Sequence, residues 1–528
     1  MEKAPKRCYE KRFFLGELCQ SISESLQIMY QSFLKTPSKS QWKKIGLQRR
    51  SGVVLPLFSI RSKTSAGIGE FKDIKPIIDW CKLTGNSIVQ LLPLNDTGLL
   101  SSPFSPITSI GLNPIHISLS EIEGGEKENE RIKSLFPMEK RVDYRVGKEK
   151  VSSLKKIFKK ADLSGDFEEF IDKNSAWLND YATFKALRDF HKNQPWFDWE
   201  KDFRDFNKEK VEIFKEKFKD NILFWKWIQW HSFKQLKSVK DYALKNNVLI
   251  KGDLPHFISK DSVDCWINRD WFKLQYVAGA PPDYFSKDGQ TWGMPPFNWE
   301  AIELNNFEFI RRRLNYADNF YDIIRIDHLI GLFRTWIVRD SKAVSGSFDL
   351  KEKKDQERRG YAILRKMIDS STMLLCAEDM GTIPLFCRKT IKDLGIPGLD
   401  IGRNQKRYRR LAVSTLSTHD MDLFPEWSSK NDLNERDVDE AMKEILSAPS
   451  IFSIPLIFDW LFFSGDIDRL KAPKYRINKP GTISDNNWSI MLPFFVEELV
   501  KLPGNKKIQR INQLRSDFGN PLDLSVGN

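Results

Sequence analysis

The segment YDIIRIDH, residues 321–328, is a short apolar run that ends on charged residues. Runs of β-branched and apolar residues this short are typical of strands that are buried on both faces of a parallel sheet. Arg325 lies inside the run and Asp327 directly follows its last isoleucine. For one such run, a strand that enters a solvated loop is the simpler interpretation, so its meaning depends on whether the pattern recurs.

Short apolar runs of this kind recur at seven other places along the chain, although not all of them end on a charged residue. Segments with apolar residues at helical spacing separate most of the runs, and one of them, residues 71–85, stops at Gly85. Eight short buried strands that alternate with helices predict an α/β fold, a parallel (β/α)8 TIM barrel. A doubly wound open sheet is the alternative, but RSKTSAGIGEF at residues 61–71 lacks the glycine spacing of a phosphate-binding loop. The other runs are residues 52–57, 87–94, 247–253, 372–378, 395–401, 411–420 and 450–458.

The positions of the runs also divide the chain into segments. Residues 1–50 are polar and helix-biased, and we expect them to form an appendage. The stretch between the second and third strands is too long and too regularly patterned for a loop, which predicts a largely helical insertion. The predicted organisation is an N-terminal extension at 1–50, two barrel strands at 51–98, the insertion at 99–246, the rest of the barrel at 247–500 and a C-terminal tail at 501–528.

Composition and charge argue against several classes of function. The net charge is +13, but lysines are mixed with acidic residues, so no basic stripe predicts nucleic-acid binding. The six cysteines have no Cys-x-x-Cys spacing, which predicts buried reduced thiols and no metal or disulfide framework. The first residues are charged throughout, and the longest apolar stretch, near residues 451–463, is interrupted. We therefore expect no secretory signal, no membrane span and a cytoplasmic location.

Four of the predicted strands end at an acidic residue. Because the carboxyl ends of all strands in a parallel barrel meet at one mouth, these carboxylates are predicted to converge on one cleft. Three of the six histidines lie within three residues of the same acids. The acids are Asp253, Asp327, Glu378 and Asp420, and the histidines are His256, His328 and His419.

Several carboxylates without a thiol or a metal motif indicate chemistry at a glycosidic bond. Retaining cleavage needs a carboxylate nucleophile and a carboxylic acid that protonates the leaving oxygen, and a third carboxylate can stabilise the positive charge of the transition state. Arg325 is expected to keep Asp327 ionised, and partial burial is expected to keep Glu378 protonated. The same residue types can bind a metal, but the tight spacing of known ligand motifs is missing.

Residues 51 to about 500 resemble the amylomaltases, the 4-α-glucanotransferases of glycoside hydrolase family 77 in the α-amylase clan. The acids follow the order of that clan's signature regions, in GDLP, RIDH, AED and THD. Further segments are similar to the family alone: SPFSPITSIGLNPIHISL at 102–119, DSVDCWIN at 261–268, VAGAPPDYFSKDGQTWGMP at 277–295, GIPGL at 395–399, and NKPGT with NW between 478 and 488.

The resemblance implies a role for each matching residue. Asp327 is implied as the nucleophile, Glu378 as the acid/base and Asp420 as the stabiliser of the transition state. The residues implied to hold the substrate are Asp253, Tyr284, Phe285, Trp292, Arg325, His328 and His419, with Tyr284 and Phe285 on a loop that folds over the glucan. The chain departs from the family's pattern at Phe104, Met294, Met421 and Phe458, which leaves the three acids intact.

The implied activity is transfer of 1,4-α-glucan segments to the 4-hydroxyl of glucose or of another glucan, through a covalent glycosyl-enzyme. The same residues serve an α-glucan hydrolase, and a catalytically silent glucan-binding protein is a third possibility against which the three intact acids argue. We expect no cofactor, no nucleic-acid partner and no membrane partner. The sequence does not predict the oligomeric state.

Overall fold

The computed structural model describes residues 30–163, 165–282, 287–339, 345–403, 407–431 and 437–517. Eight parallel strands form its central sheet, in the order β6-β7-β8-β1-β2-β3-β4-β5, so that strands adjacent in the chain are adjacent in space. They are β1 Arg50–Leu55, β2 Ile88–Leu91, β3 Leu249–Leu254, β4 Ile323–Ile326, β5 Leu374–Ala377, β6 Gly398–Ile401, β7 Ala412–Thr415 and β8 Phe452–Ser453.

The two end strands of this order, β5 and β6, meet to close the barrel. The Ala377 N–H at the end of β5 donates to the Pro397 carbonyl, which precedes β6, over 2.7 Å. The carboxylate of Asp379 accepts the Leu399 N–H over 2.7 Å across the same seam. All eight predicted strands are present, and the predicted (β/α)8 barrel is confirmed.

Helices surround the barrel and connect its strands. The first of them ends at Gly85 as predicted, because this glycine adopts the left-handed conformation, with φ of 76°. The helices associated with the barrel are Ile74–Thr84, Val263–Ile267, Trp299–Leu304, Glu308–Ala317, Lys353–Asp369, Leu385–Leu394, Phe424–Lys430, Val438–Ser447, Ile457–Ser464 and Val496–Leu499. None of the helices in the described part of the chain is both long and apolar enough to cross a membrane.

The segment between β2 and β3 is mainly helical. Its helices are Glu126–Leu135, Val146–Phe158, Asp166–Phe190, Lys201–Arg204, Lys208–Lys217 and Lys219–Lys245. A buried ion pair attaches it to the loop after β1, since Lys150 Nζ lies 2.7 Å from Glu70 Oε1 and also donates to the carbonyls of Ile115 and Ile117. The insertion therefore packs on the barrel through charged as well as apolar groups.

The terminal segments close the bottom of the barrel, at the amino ends of the strands. Trp42, in the helix Lys39–Ile45, is fully buried and its indole N–H donates to the Gly395 carbonyl just before β6. Arg515, in the helix Asn505–Asp517, donates to the Leu446 carbonyl before β8. The expectation that the N-terminal residues form an appendage is wrong from residue 30 onward. Large aromatic residues such as Trp42 pack against the barrel, so the polar composition of this segment did not predict its burial.

The loops that follow β3 and β4 form a second sheet, which the sequence pattern did not predict. Its four strands are antiparallel and lie in the order Gln290–Thr291, Val277–Ala280, Trp336–Val338 and Ser347–Phe348. Strands of two to four residues are too short to show a hydrophobic period. Trp292, which directly follows the strand Gln290–Thr291, lies at the mouth of the barrel.

Candidate active site

A cleft of about 760 Å³ opens at the carboxyl ends of the barrel strands. Asp327, Glu378 and Asp420 line its floor. One wall comes from the loop after β2, at residues 100–105, and another from a loop at residues 478–488. The strand-end carboxylates that the sequence placed at one mouth therefore do meet there.

Arg325 is the centre of the charged cluster in this cleft. Its Nη1 donates to both carboxylate oxygens of Asp253, over 2.7 and 2.8 Å, and to Asp327 Oδ1 over 3.0 Å. Its Nη2 lies 2.8 Å from Glu378 Oε2. One guanidinium on β4 thus holds carboxylates that come from β3, from the end of β4 and from the end of β5. Its planar fork suits this task, which the point charge of a lysine does not.

Backbone groups orient the two neighbouring carboxylates. The His328 N–H donates to Glu378 Oε2 over 2.8 Å, and the His256 N–H lies 3.4 Å from Asp327 Oδ2. His328 has a φ of 43°, in the left-handed region that residues other than glycine rarely adopt. Such backbone strain concentrates at functional sites, and here it turns a donor toward Glu378.

The carboxyl groups of Asp327 and Glu378 lie close enough to affect each other's ionisation. Burial, together with the charges of Glu378 and Asp253, raises the pKa of Asp327 well above its usual range despite Arg325. Burial has the same tendency for Glu378, but Arg325 and the His328 N–H outweigh it and lower the pKa of Glu378. The directions of these two pKa shifts are opposite to those expected from the sequence, because Arg325 and the His328 N–H both contact Glu378.

Asp420 has a separate set of partners. His419 Nε2 lies 3.2 Å from Asp420 Oδ2, and the Asn478 amide donates to Asp420 Oδ1 over 2.6 Å. Although burial opposes ionisation, His419, Asn478 and Arg325 lower the pKa of Asp420 to about 2. Asp420 is therefore a permanent negative charge at neutral pH. Asn478 was not singled out from the sequence, although it opens the NKPGT segment.

Aromatic rings line the cleft beside the carboxylates. The ring of Phe104 stacks on His419, with centroids 4.8 Å apart, and lies 5.7 Å from the ring of Trp488. Trp292 contacts His328 edge-on, with centroids 4.8 Å apart. The apolar faces of pyranose rings pack well on such surfaces.

The remaining residues expected at the site fall into three groups. Tyr284 and Phe285 lie outside the described residues. Met294, one of the departures from the family pattern, lines the cleft. Phe458 does not line it, because this residue is fully buried in the helix Ile457–Ser464 and stacks on Tyr475. Within the described residues, no group of at least three His, Cys, Asp or Glu side chains is arranged to hold a metal ion.

The barrel and its cleft place the chain in the class of enzymes that act on glycosidic bonds with carboxylates. A family model described as 4-alpha-glucanotransferase, of glycoside hydrolase family 77, matches residues 55–496. The chain therefore belongs to this family.

Individual proteins agree with the family assignment. The chain is 38% identical to a 4-alpha-glucanotransferase of Chlamydia pneumoniae, over 88% of this chain and 95% of that one. It is 34% identical to the 4-alpha-glucanotransferase of Chlamydia trachomatis, over 91% and 97% of the two chains. The solved amylomaltase from Streptococcus agalactiae in complex with acarbose superposes with a TM-score of 0.76 at 23% identity, covering 89% of this chain and 99% of that one, which supports the fold. Family membership confirms the expected activity, transfer of α-glucan segments, and favours it over plain hydrolysis.

Proposed function

We propose that Asp327, Glu378 and Asp420 carry out a retaining double displacement on 1,4-α-glucans, as nucleophile, acid/base and stabiliser respectively. The observation that carries the proposal is the convergence of these three carboxylates on one cleft, two of them held directly by Arg325. Retention of configuration requires a nucleophile and an acid/base that flank one glycosidic bond, and Arg325 contacts both Asp327 and Glu378 at the mouth of the barrel.

In the first step, a donor glucan binds with one glucose beside Phe104. Glu378 gives its proton to the glycosidic oxygen, the bond from C1 to that oxygen breaks, and a carboxylate oxygen of Asp327 forms an ester with C1. This step requires a proton on Glu378 and an ionised Asp327.

In the second step, the 4-hydroxyl of an acceptor glucan or of glucose replaces the leaving chain. Glu378 accepts the hydroxyl proton, the oxygen bonds to C1, and the ester to Asp327 breaks. The positive charge that develops on the sugar in both steps is stabilised by the ionised Asp420. Coverage of the cleft by the loop with Tyr284 and Phe285 favours the acceptor hydroxyl over water, and this part of the proposal rests on the sequence.

The test measures the products formed from two donors, maltotriose and maltosyl fluoride. Fluoride leaves without being protonated, so the second donor does not need the acid. With maltotriose, the wild-type protein should produce glucose and a ladder of longer glucans, whereas glucose and maltose alone would indicate hydrolysis. Glu378→Gln should lose maltotriose activity by at least about 10³-fold but still react with the fluoride. It should accumulate a glycosylated peptide containing Asp327, detectable by mass spectrometry. Asp327→Asn should be inactive on both donors, and an Asp327→Asn variant that still forms the adduct overturns the assignment.

A further inference from the structure

A second, smaller cavity lies inside the barrel, directly beneath the catalytic cluster. Its volume is about 40 Å³, and inward-facing side chains of the strands line it. It shares Arg325 and His419 with the region around the active site but has its own polar residues, Gln90 and Lys251. A cavity of this size has room for about three water-sized particles.

Gln90 and Lys251 are register partners on β2 and β3. Both side chains point into the barrel, and Gln90 is 7% and Lys251 2% exposed. Their side chains make no hydrogen bond or ion pair with any other residue of the described part of the chain. Lys240, another buried lysine, is paired with Asp322, and Lys150 is paired with Glu70. Lys240 and Lys150 each face a carboxylate, whereas Lys251 faces the cavity.

Lys251 is the basic residue of the cavity lining that has no carboxylate partner in the described part of the chain. The described lining includes Lys251, Arg325 and His419 and contains no aspartate or glutamate. The nearest carboxylate above it, that of Asp253, is already bound through both oxygens to Arg325. Burial lowers the pKa of Lys251, because an ammonium ion is poorly solvated in this position. An anion in the cavity would oppose this shift by favouring the charged form of Lys251.

We propose that this cavity binds one monovalent anion of halide size, held by the Lys251 ammonium and the Gln90 side-chain amide. A cation is disfavoured by the Lys251 ammonium, and the small volume of the cavity favours one small ion. The anion supplies the counter-ion that Lys251 lacks, whereas Arg325 already has Asp253, Asp327 and Glu378 as partners.

The first test measures melting temperature in sodium gluconate, which is too bulky for the cavity, and during its replacement by sodium chloride or bromide. Constant ionic strength keeps the screening of surface charges equal. A saturable rise of about 2 °C with the halides is expected for the wild-type protein. Lys173→Met, at a lysine whose side chain is 70% exposed, serves as the matched control and should respond as the wild type does.

Two variants test the site itself. Lys251→Met should melt at the same temperature in halide and in gluconate. Gln90→Glu places a carboxylate beside Lys251, so it should be stabilised in gluconate and insensitive to halide. If Lys251→Met does not fold, Gln90→Glu still decides the matter. A halide response in Gln90→Glu equal to that of the wild type overturns the proposal.

The second test locates the ion directly. Crystals of the wild-type protein grown in gluconate and soaked in bromide should show an anomalous peak within hydrogen-bonding distance of Lys251 Nζ, and crystals of Gln90→Glu should not. A cavity filled only by water would give no anomalous peak and no difference between halide and gluconate, and either result refutes the anion site. Because neither readout uses catalysis, the outcome is independent of the roles proposed for Asp327 and Glu378.

Discussion

Nη2 of Arg325 lies 2.8 Å from Oε2 of Glu378, so the guanidinium on β4 also holds the carboxylate at the end of β5. This contact explains why the pKa of Glu378 is lowered in the unliganded protein while that of Asp327 is raised. The first step proposed above uses a proton on Glu378, so the contact between Arg325 and this carboxyl group bears directly on that step.

Replacing Arg325 by lysine tests how much the shared contact matters. A lysine keeps the positive charge but lacks the fork that reaches three carboxylates at once. We expect Arg325→Lys to lower kcat/KM for maltotriose by about 10²-fold or more, since donor geometry aimed at developing charge is lost. Kinetics together with the melting temperature check this, and a variant that keeps more than a tenth of the wild-type value would show that charge alone suffices.

Much of this site could be predicted from the sequence, because Asp253, Asp327, Glu378 and Asp420 all stand at strand ends of a fold whose strand ends converge. The opposite pKa shifts of Asp327 and Glu378 could not be predicted, since they depend on distances from Arg325 and the His328 N–H to Glu378. The role of Asn478 depends in the same way on a loop folding back over β7. The burial of Trp42 was obscured by the polar residues around it. The local sequence pattern predicts the strands and helices, whereas the pKa shifts of the carboxyl groups depend on tertiary contacts.

Replacing Phe104 by tyrosine tests whether an added hydroxyl group in the cleft improves substrate binding. Its ring stacks on His419 and lines the cleft, but it carries no hydroxyl where the family pattern has tyrosine. We expect Phe104→Tyr to lower KM for maltotriose by up to about tenfold, because one net hydrogen bond to a sugar is worth about 1 kcal/mol. The value of kcat should change little. A raised KM would mean that this ring faces an apolar part of the sugar.

Asp459 predicts a pH dependence of stability. It is fully buried, and burial raises its pKa to about 6, while Arg403 and the Ser417 hydroxyl oppose the shift. Below about pH 4 the carboxyl group is protonated in both the folded and unfolded states. Between about pH 4 and 6 only the unfolded state ionises, so the contribution of Asp459 to stability falls as the pH rises and is constant above that range.

Asp459→Asn removes this titration without changing the shape of the side chain. We expect the stability of the variant relative to the wild type to increase by about 2 kcal/mol between pH 4 and pH 7, measured by chemical denaturation. Asp172→Asn, at an exposed position, is the control and should show no such trend. If the difference in the free energy of unfolding between Asp459→Asn and the wild type is the same from pH 4 to pH 7, the raised pKa of Asp459 is contradicted.

The buried pair of Lys150 and Glu70 predicts how the helical insertion is attached to the barrel. Both side chains are fully buried, and Lys150 also donates to two carbonyls of the loop that follows β2. Lys150→Met leaves Glu70 without its nearest counter-ion beside the buried Asp73, and we expect a loss of about 3–5 kcal/mol in the free energy of unfolding. The double variant Lys150→Met/Glu70→Gln removes both charges and should recover part of this loss. Denaturation of the two single variants and the double variant gives the coupling energy of the pair. If the double variant is as unstable as Lys150→Met, the hydrogen bonds to the carbonyls, and not the charge of Glu70, attach the insertion.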